Sequence, residues 1–188
     1  MTNILVACEF SGIVRDAFLK RGHNAVSCDL IPTESPGPHY QGDVRDILKE
    51  GWDMIIAHPP CDYLANCGVR WRVERQEWEE VKEAENFFMT FWECAPLWAI
   101  ENPVMARKYT SIPPPSFSHQ PWEFGDNVKK RVCWWSNMPK LKPTSDLDGS
   151  TAIAEVHNEP PGPERKKNRA RFFKGMADAM AQQWGGLL

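Results

Sequence analysis

The chain reads as an α/β protein, a mostly parallel sheet with helices on both faces. Short apolar runs alternate with segments of helical periodicity, the pattern of parallel strands joined by crossover helices. Polar or reactive residues stand just after several of these runs, where open parallel sheets bind ligands.

Residues 3–8, Asn-Ile-Leu-Val-Ala-Cys, form the first apolar run, which stops at the turn Glu9-Phe10-Ser11-Gly12. Ile13, Val14, Ala17, Phe18 and Leu19 then recur at helical spacing. Arg21-Gly22-His23 closes that helix, and residues 25–28 supply a second strand ending in Asp29. Residues 31–40 are rich in Pro, Gly and Ser and predict a loop leading to Gly42-Asp43. Residues 52–57 predict a buried strand running into His58-Pro59-Pro60-Cys61, where the prolines end the ladder and begin a rigid exposed loop.

Residues 73–94 predict one long amphipathic helix stopped by Pro96, its acids (Glu74, Glu77, Glu80, Glu85) forming a solvated face. Residues 97–100 give another strand, with Glu101-Asn102-Pro103 at its end. After a Pro-rich loop at 112–117, residues 127–135 form one arm of a hairpin with basic residues 129–131 inside it. Residues 143–168 read as a long irregular loop and residues 172–184 as a closing helix.

A chain of 188 residues fits one domain spanning 1–188. Its 42% hydrophobic and 25% charged residues exclude a disordered or fibrous protein. A formal net charge of -3 argues against coating nucleic acid through bulk charge. A local basic patch remains: Arg165, Lys166, Lys167, Arg169, Arg171 and Lys174, either a phosphate contact or a solvated loop running into a helix. The nine Trp are base-stacking platforms or, for most of them, packing.

The amino-terminal residues do not read as a signal peptide, and no stretch is long and apolar enough to span a membrane. A soluble, cytoplasmic protein with reduced thiols is expected. Cys8, Cys28, Cys61, Cys67, Cys94 and Cys133 include no Cys-x-x-Cys pair, so no metal site is expected.

Four strand ends carry the chemistry: the Glu9-Phe10-Ser11-Gly12 turn, Asp29, Cys61 and Glu101. A glycine in the first turn lets the backbone approach a ligand, and an acid ending the second strand can accept hydrogen bonds from both ribose hydroxyls. One glycine is no dinucleotide fingerprint, so an adenosine cofactor without phosphates fits best, namely S-adenosylmethionine, with Asp43 on the adenine amino group. Cys61 follows two prolines at a strand end and is held out of the core, unlike Cys8, Cys28, Cys94 and Cys133, which read as small buried hydrophobes. A carboxyl at Glu101 can hydrogen-bond a heterocycle while the Cys61 thiolate adds to it.

The order of these motifs resembles the C5-cytosine DNA methyltransferase family, particularly its short, phage-type members, over most of the chain. Phe10-Ser11-Gly12 is similar to the cofactor loop, Asp29 to the ribose-binding acid and Gly42-Asp43 to the adenine-contacting pair. Pro60-Cys61 is similar to the nucleophile motif, with Pro60 counted among the cofactor contacts, and Glu101-Asn102 to the start of the Glu-Asn-Val motif, with Pro103 in place of Val. Lys130-Arg131 resembles the basic motif, and residues 172–184 take the place of the closing helix.

The resemblance implies a Rossmann-like S-adenosylmethionine-dependent methyltransferase fold. It implies catalysis by Cys61, Glu101 and Arg131: Cys61 adds to C6 of cytosine, Glu101 holds N3 and the exocyclic amine, and Arg131 steadies the base or a phosphate. Residues 136–170 form a short loop region in place of a target-recognition domain, so such a chain would have low specificity, take its specificity from a partner protein or an oligomer, or act on a free cytosine nucleotide. DNA is the expected substrate, its target cytosine flipped from the stack if the DNA is duplex; a phage-encoded enzyme would act in the host cytoplasm. A free cytosine nucleotide, RNA, amino-methylation through a Pro-Pro-aromatic-like motif, and a catalytically silent cofactor- and DNA-binding module stay open as alternatives.

Overall fold

The computed structural model describes residues 2–188. The strands among them are β1 (Asn3–Ala7), β2 (Asn24–Asp29), β3 (His39–Gln41), β4 (Met54–Ala57), β5 (Leu97–Asn102), β6 (Phe117–His119) and β7 (Val132–Ser136). They form one sheet in the order β3-β2-β1-β4-β5-β7-β6. The pairs from β3 to β5 are parallel, and β7 runs antiparallel to both β5 and β6. This is the doubly wound order with one reversed strand inserted before the last, a Rossmann-like α/β fold. Strand order reverses between β1 and β4, which opens a crevice beyond their carboxyl ends.

Side chains alternate between the two faces of the sheet, as the strand period of two requires. Ile4 and Val6 point to one face with Trp134, where α1 (Ile13–Leu19) and α6 (Lys174–Gln183) contribute Val14, Phe18, Met176 and Met180. Leu5 and Ala7 point to the other with Trp135, where α3 (Trp78–Met89) contributes Phe88. Residues covered on both faces explain why β1 and β4 are nearly unbroken apolar runs. Trp134 meets Trp184 edge-on at 5.2 Å, a geometry worth about 1 kcal/mol beyond the area buried. α6 starts where the backbone comes closest to its neighbour: a Cβ on Gly175 would lie 2.1 Å from the Phe124 carbonyl oxygen. Asp126 caps this helix, its carboxylate accepting from the amides of Gly175 and Met176 at 3.1 Å each.

The structure corrects four expectations. The single helix expected over 73–94 is two, α2 (Val69–Arg75) and α3, broken at Gln76, which takes a left-handed φ of 55°. Glu101 and Asn102 are the last residues of β5 itself, paired with Trp134 and Cys133. β7 begins after the basic residues 129–131, and its hairpin partner β6 emerges from the end of the Pro-rich segment. The stretch expected to be one irregular loop holds two short helices, α4 (Glu155–Asn158) and the start of α5 (Arg165–Ala170). Among the described residues, no helix is long and apolar enough to cross a membrane.

Candidate active site at the strand ends

Three adjacent strands place three titratable side chains in a row. The Glu9 amide donates to the Cys28 carbonyl at 2.9 Å and the His58 amide to the Ala7 carbonyl at 2.9 Å, so hydrogen bonding to the neighbouring strands continues past the ends of β1 and β4, even though Cys8 leaves the strand conformation with a left-handed φ of 57°. His58 therefore stands between Glu9, beyond β1, and Glu101, at the end of β5. The two carboxylates are only 4% and 8% exposed. His58 Nδ1 lies 3.5 Å from Glu101 Oε2, and its ring packs on Phe172 at 4.8 Å.

Burial alone would push the Glu101 carboxyl up, but the His58 contact and the charges of Lys130 and His58 outweigh it and hold the group below its ordinary value. For Glu9 burial wins and its carboxyl is raised, although His58, the amides of Val14 and Arg15, and Ser11 all oppose the shift. His58 Nε2, Glu101 Oε1 and Asn102 Oδ1 are buried without a hydrogen-bond partner in the protein. Unpaired buried polar atoms are costly, so those of the neighbouring His58 and Glu101 are free to meet a polar ligand.

Cys61 is held beside this row by a braced loop. Asn102 Nδ2 donates to the Pro59 carbonyl at 2.9 Å. The buried Arg72 of α2 donates to the carbonyls of Asp62, at 3.0 Å, and Ala65. The Cys61 thiol is pushed up to about 11, first by burial, then by the charges of Glu101 and Asp62, with the Lys130 ammonium opposing. In the free protein at neutral pH it is a thiol.

The cation facing this site is Lys130, whose charge acts on both Glu101 and Cys61 and whose Nζ lies 5.4 Å from the Phe173 ring centre. Arg131, the expected third catalytic residue, is exposed just before β7, where its charge acts on Cys133. Two adjacent cations look alike in sequence; only the register of β7 against β5 separates them. His58 also went unassigned in sequence, although its place at the end of an apolar run was a usable signal.

The expected cofactor residues stand at or just beyond the carboxyl ends of β1, β2, β3 and β4. Phe10 is buried, and its carbonyl accepts from the Glu34 amide at 2.9 Å. Ser11 Oγ donates to Glu9 Oε1 at 3.2 Å, and Glu9 in turn accepts from the amides of Val14 and Arg15 at the start of α1. Gly12 has φ 74°, and a Cβ there would lie 2.5 Å from Arg15 Nη2, so the close approach that demands glycine is to Arg15. Pro60 is exposed next to Cys61.

Asp29 is half-buried at the end of β2, its carboxyl raised by burial, with Oδ1 accepting from the Ile31 amide at 3.2 Å. Beside it Leu30 and Ile31 are 71% and 41% exposed. An acid beside bare apolar surface fits a ribose next to an aromatic base. Asp43 is held by the Arg45 guanidinium and amide, which lower its carboxyl to about 2.

The basic segment near the carboxyl terminus is tied to this rim. Lys166 pairs with Asp62 at 2.6 Å, while Lys167 and Arg171 both pair with Glu34, at 2.9 and 2.7 Å. α5 and the residue after it thus bridge the loops that follow β4 and β2, across the mouth of the crevice. Glu34 is lowered to about 2, first by Arg171 and also by Lys167.

No protein-family model and no curated protein matches the sequence. Among solved structures, the chain is similar to a crystal structure of a triple mutant of Spodoptera frugiperda DNMT2, with a TM-score of 0.43 and 11% sequence identity. The likeness covers 88% of this chain and 62% of that one, so the chain spans about three fifths of the other protein's length.

Proposed function

We propose that the chain is an S-adenosylmethionine-dependent methyltransferase acting on C5 of cytosine in DNA, with Cys61 as covalent nucleophile. The observation that carries this reading is the convergence on Cys61 of the Glu101 charge, which raises its thiol, and the Lys130 charge, which opposes it, beside the buried His58 and Glu101 atoms that lack partners. A cytosine ring satisfies both needs, since its C6 accepts a thiolate and its N3 and exocyclic amine offer hydrogen-bonding edges to a carboxyl group.

Glu101 receives the N3 edge, with His58 behind it. Sharing the Glu101 charge with the base relieves one of the causes that hold Cys61 as a thiol, so substrate binding itself favours the thiolate. Cys61 Sγ then bonds to C6, and the electron pair of the C5–C6 double bond makes C5 nucleophilic as N3 gains a proton. The proton lost by Cys61 and the one gained at N3 balance, and the Glu101–His58 pair is the buried group able to take the one and give the other. Lys130 offsets negative charge as it develops. Once C5 carries the methyl group, N3 returns its proton to the Glu101–His58 pair, solvent takes the C5 proton as the C5–C6 double bond re-forms and the C6–S bond breaks, and Cys61 Sγ regains the proton it gave up.

Bound S-adenosylmethionine supplies the electrophilic methyl group. Asp29 would accept from ribose hydroxyls and Leu30 and Ile31 would cover an adenine, with Phe10, Ser11, Gly12 and Pro60 as the remaining contacts. Asp43 reaches an adenine amino group only by sharing its carboxylate with Arg45.

The test is transfer of labelled methyl to duplex DNA, single-stranded DNA, RNA and dCMP in parallel, with the product nucleoside identified by mass spectrometry. 5-Methylcytosine in DNA is expected. Label on an exocyclic amine, or on no nucleic acid or nucleotide, would overturn the reading.

A further inference from the structure

The chain contains nine Trp, nine Phe and three Tyr, yet among the described residues the exposed aromatic side chains are Tyr63, Trp71 and Trp78. All three lie in the stretch that directly follows Cys61. The other aromatics are buried or half-buried in the folded chain, so this clustering is not a by-product of a Trp-rich composition.

Tyr63, Trp71 and Arg75 line a cleft of about 340 Å³ whose wall also includes Asp62, the residue after Cys61. The guanidinium carbons of Arg70 and Arg75 lie 5.5 and 5.9 Å from the Trp71 ring centre. Trp78 stacks on Tyr109 at 5.3 Å, and Lys108 Nζ lies 5.5 Å from the Tyr109 ring. The segment carrying Tyr109 is tied to the Cys61 loop by the Asn66 amide donating to the Val104 carbonyl at 2.8 Å and by the Ala65–Met105 bridge. Rings and cations thus lie side by side on pieces of backbone tied to the loop that carries the nucleophile.

We propose that this row is a track for an unpaired DNA strand, holding the nucleotides that flank the cytosine at Cys61. The proposal rests on the reading of Cys61 as a cytosine nucleophile. Exposed rings flanked by cations suit bases whose faces are free and phosphates that follow them. Duplex DNA hides those faces in its own stack, so the track favours single strands or melted sites. The exposed Arg70 and Arg75 pair with Glu74 and the half-buried Glu77. Such pairs are weak and exchange readily for phosphate. Because every base presents a π-face, recognition of the flanks is tolerant of sequence.

The test is binding of short fluorescent oligodeoxynucleotides containing one cytosine, followed by anisotropy without cofactor. Wild-type protein is expected to prefer the single strand to its duplex and to an RNA of the same sequence. Trp71→Ala and Trp78→Ala should each weaken single-strand binding about tenfold, with Trp71→Phe close to wild type. Replacing the flanking nucleotides by abasic ones should lower wild-type affinity to the level of the variants, a readout that needs no altered protein. Unchanged affinity in Trp71→Ala together with indifference to abasic flanks would overturn the track, as would tighter binding of duplex or of RNA. Failure of the Cys61 chemistry would leave the Trp71 effect in place, whereas failure of the track would leave cytosine methylation in place.

Discussion

Asn102 ties the strand that carries Glu101 to the loop that carries Cys61, its Nδ2 donating to the Pro59 carbonyl at 2.9 Å. Asn102 and Pro59 are both buried, so removing the side chain leaves that carbonyl without its partner. Asn102→Ala should destabilise the fold by about 1–3 kcal/mol, the cost of an orphaned buried acceptor. Thermal melting checks this, and slower covalent trapping at Cys61 should accompany the loss.

His58 opposes the burial that would raise Glu101. In His58→Gln that opposition weakens and the Glu101 carboxyl rises, so the acid limb of the methyl-transfer profile should move to higher pH. At neutral pH the rate should fall by roughly a hundredfold, the low end of acid–base contributions. A rate loss with an unmoved pH profile would reduce His58 to a packing residue.

The charges around Cys61 act with opposite signs. Glu101→Gln removes a group that raises the thiol, so Cys61 alkylation in the free protein should be faster than in wild type. Lys130→Met removes a group that lowers it, so alkylation should be slower. Wild-type reactivity should keep climbing with pH towards about 11. Site-resolved mass spectrometry at mildly alkaline pH separates Cys61 from the exposed Cys67.

Glu34 anchors the strap formed by Lys167 and Arg171. Its folded value of about 2 lies below the ordinary 4.5, so the pairing contributes stability above the ordinary value and loses it as pH falls towards about 2. Glu34→Gln should imitate the acid state at neutral pH. Amide hydrogen exchange in residues 164–171 should then speed up, with core strands unchanged.

The first half of the fold was legible because its cues are local. The apolar run before Glu9, the turn and the periodicity from Ile13 define β1, α1 and β2 with no distant partner. The break between α2 and α3 was hidden because Gln76 is not a residue that advertises a left-handed conformation. What the break accommodates is the stacking of Trp78 on Tyr109, far along the chain. β3 and β6, at three residues each, are too short to display a period.

The same division holds in the site. Cys61 and Glu101 announced themselves by standing at the ends of apolar runs. Lys130 and His58 are defined by what faces them across strands, and that depends on register. The basic segment around α5 looked equally suited to phosphate or solvent, and in the fold three of its cations are spent on Asp62 and Glu34.

The measurement that bears most directly on the account is covalent trapping with DNA carrying 5-fluorocytosine, in the presence of S-adenosylmethionine, comparing wild type with Cys61→Ser. Fluorine at C5 blocks the proton loss that releases the enzyme. The account predicts a denaturation-resistant adduct in wild type, mapped by peptide mass spectrometry to Cys61, and none in Cys61→Ser. Methyl transfer by wild type without any adduct, or full activity in Cys61→Ser, would contradict it.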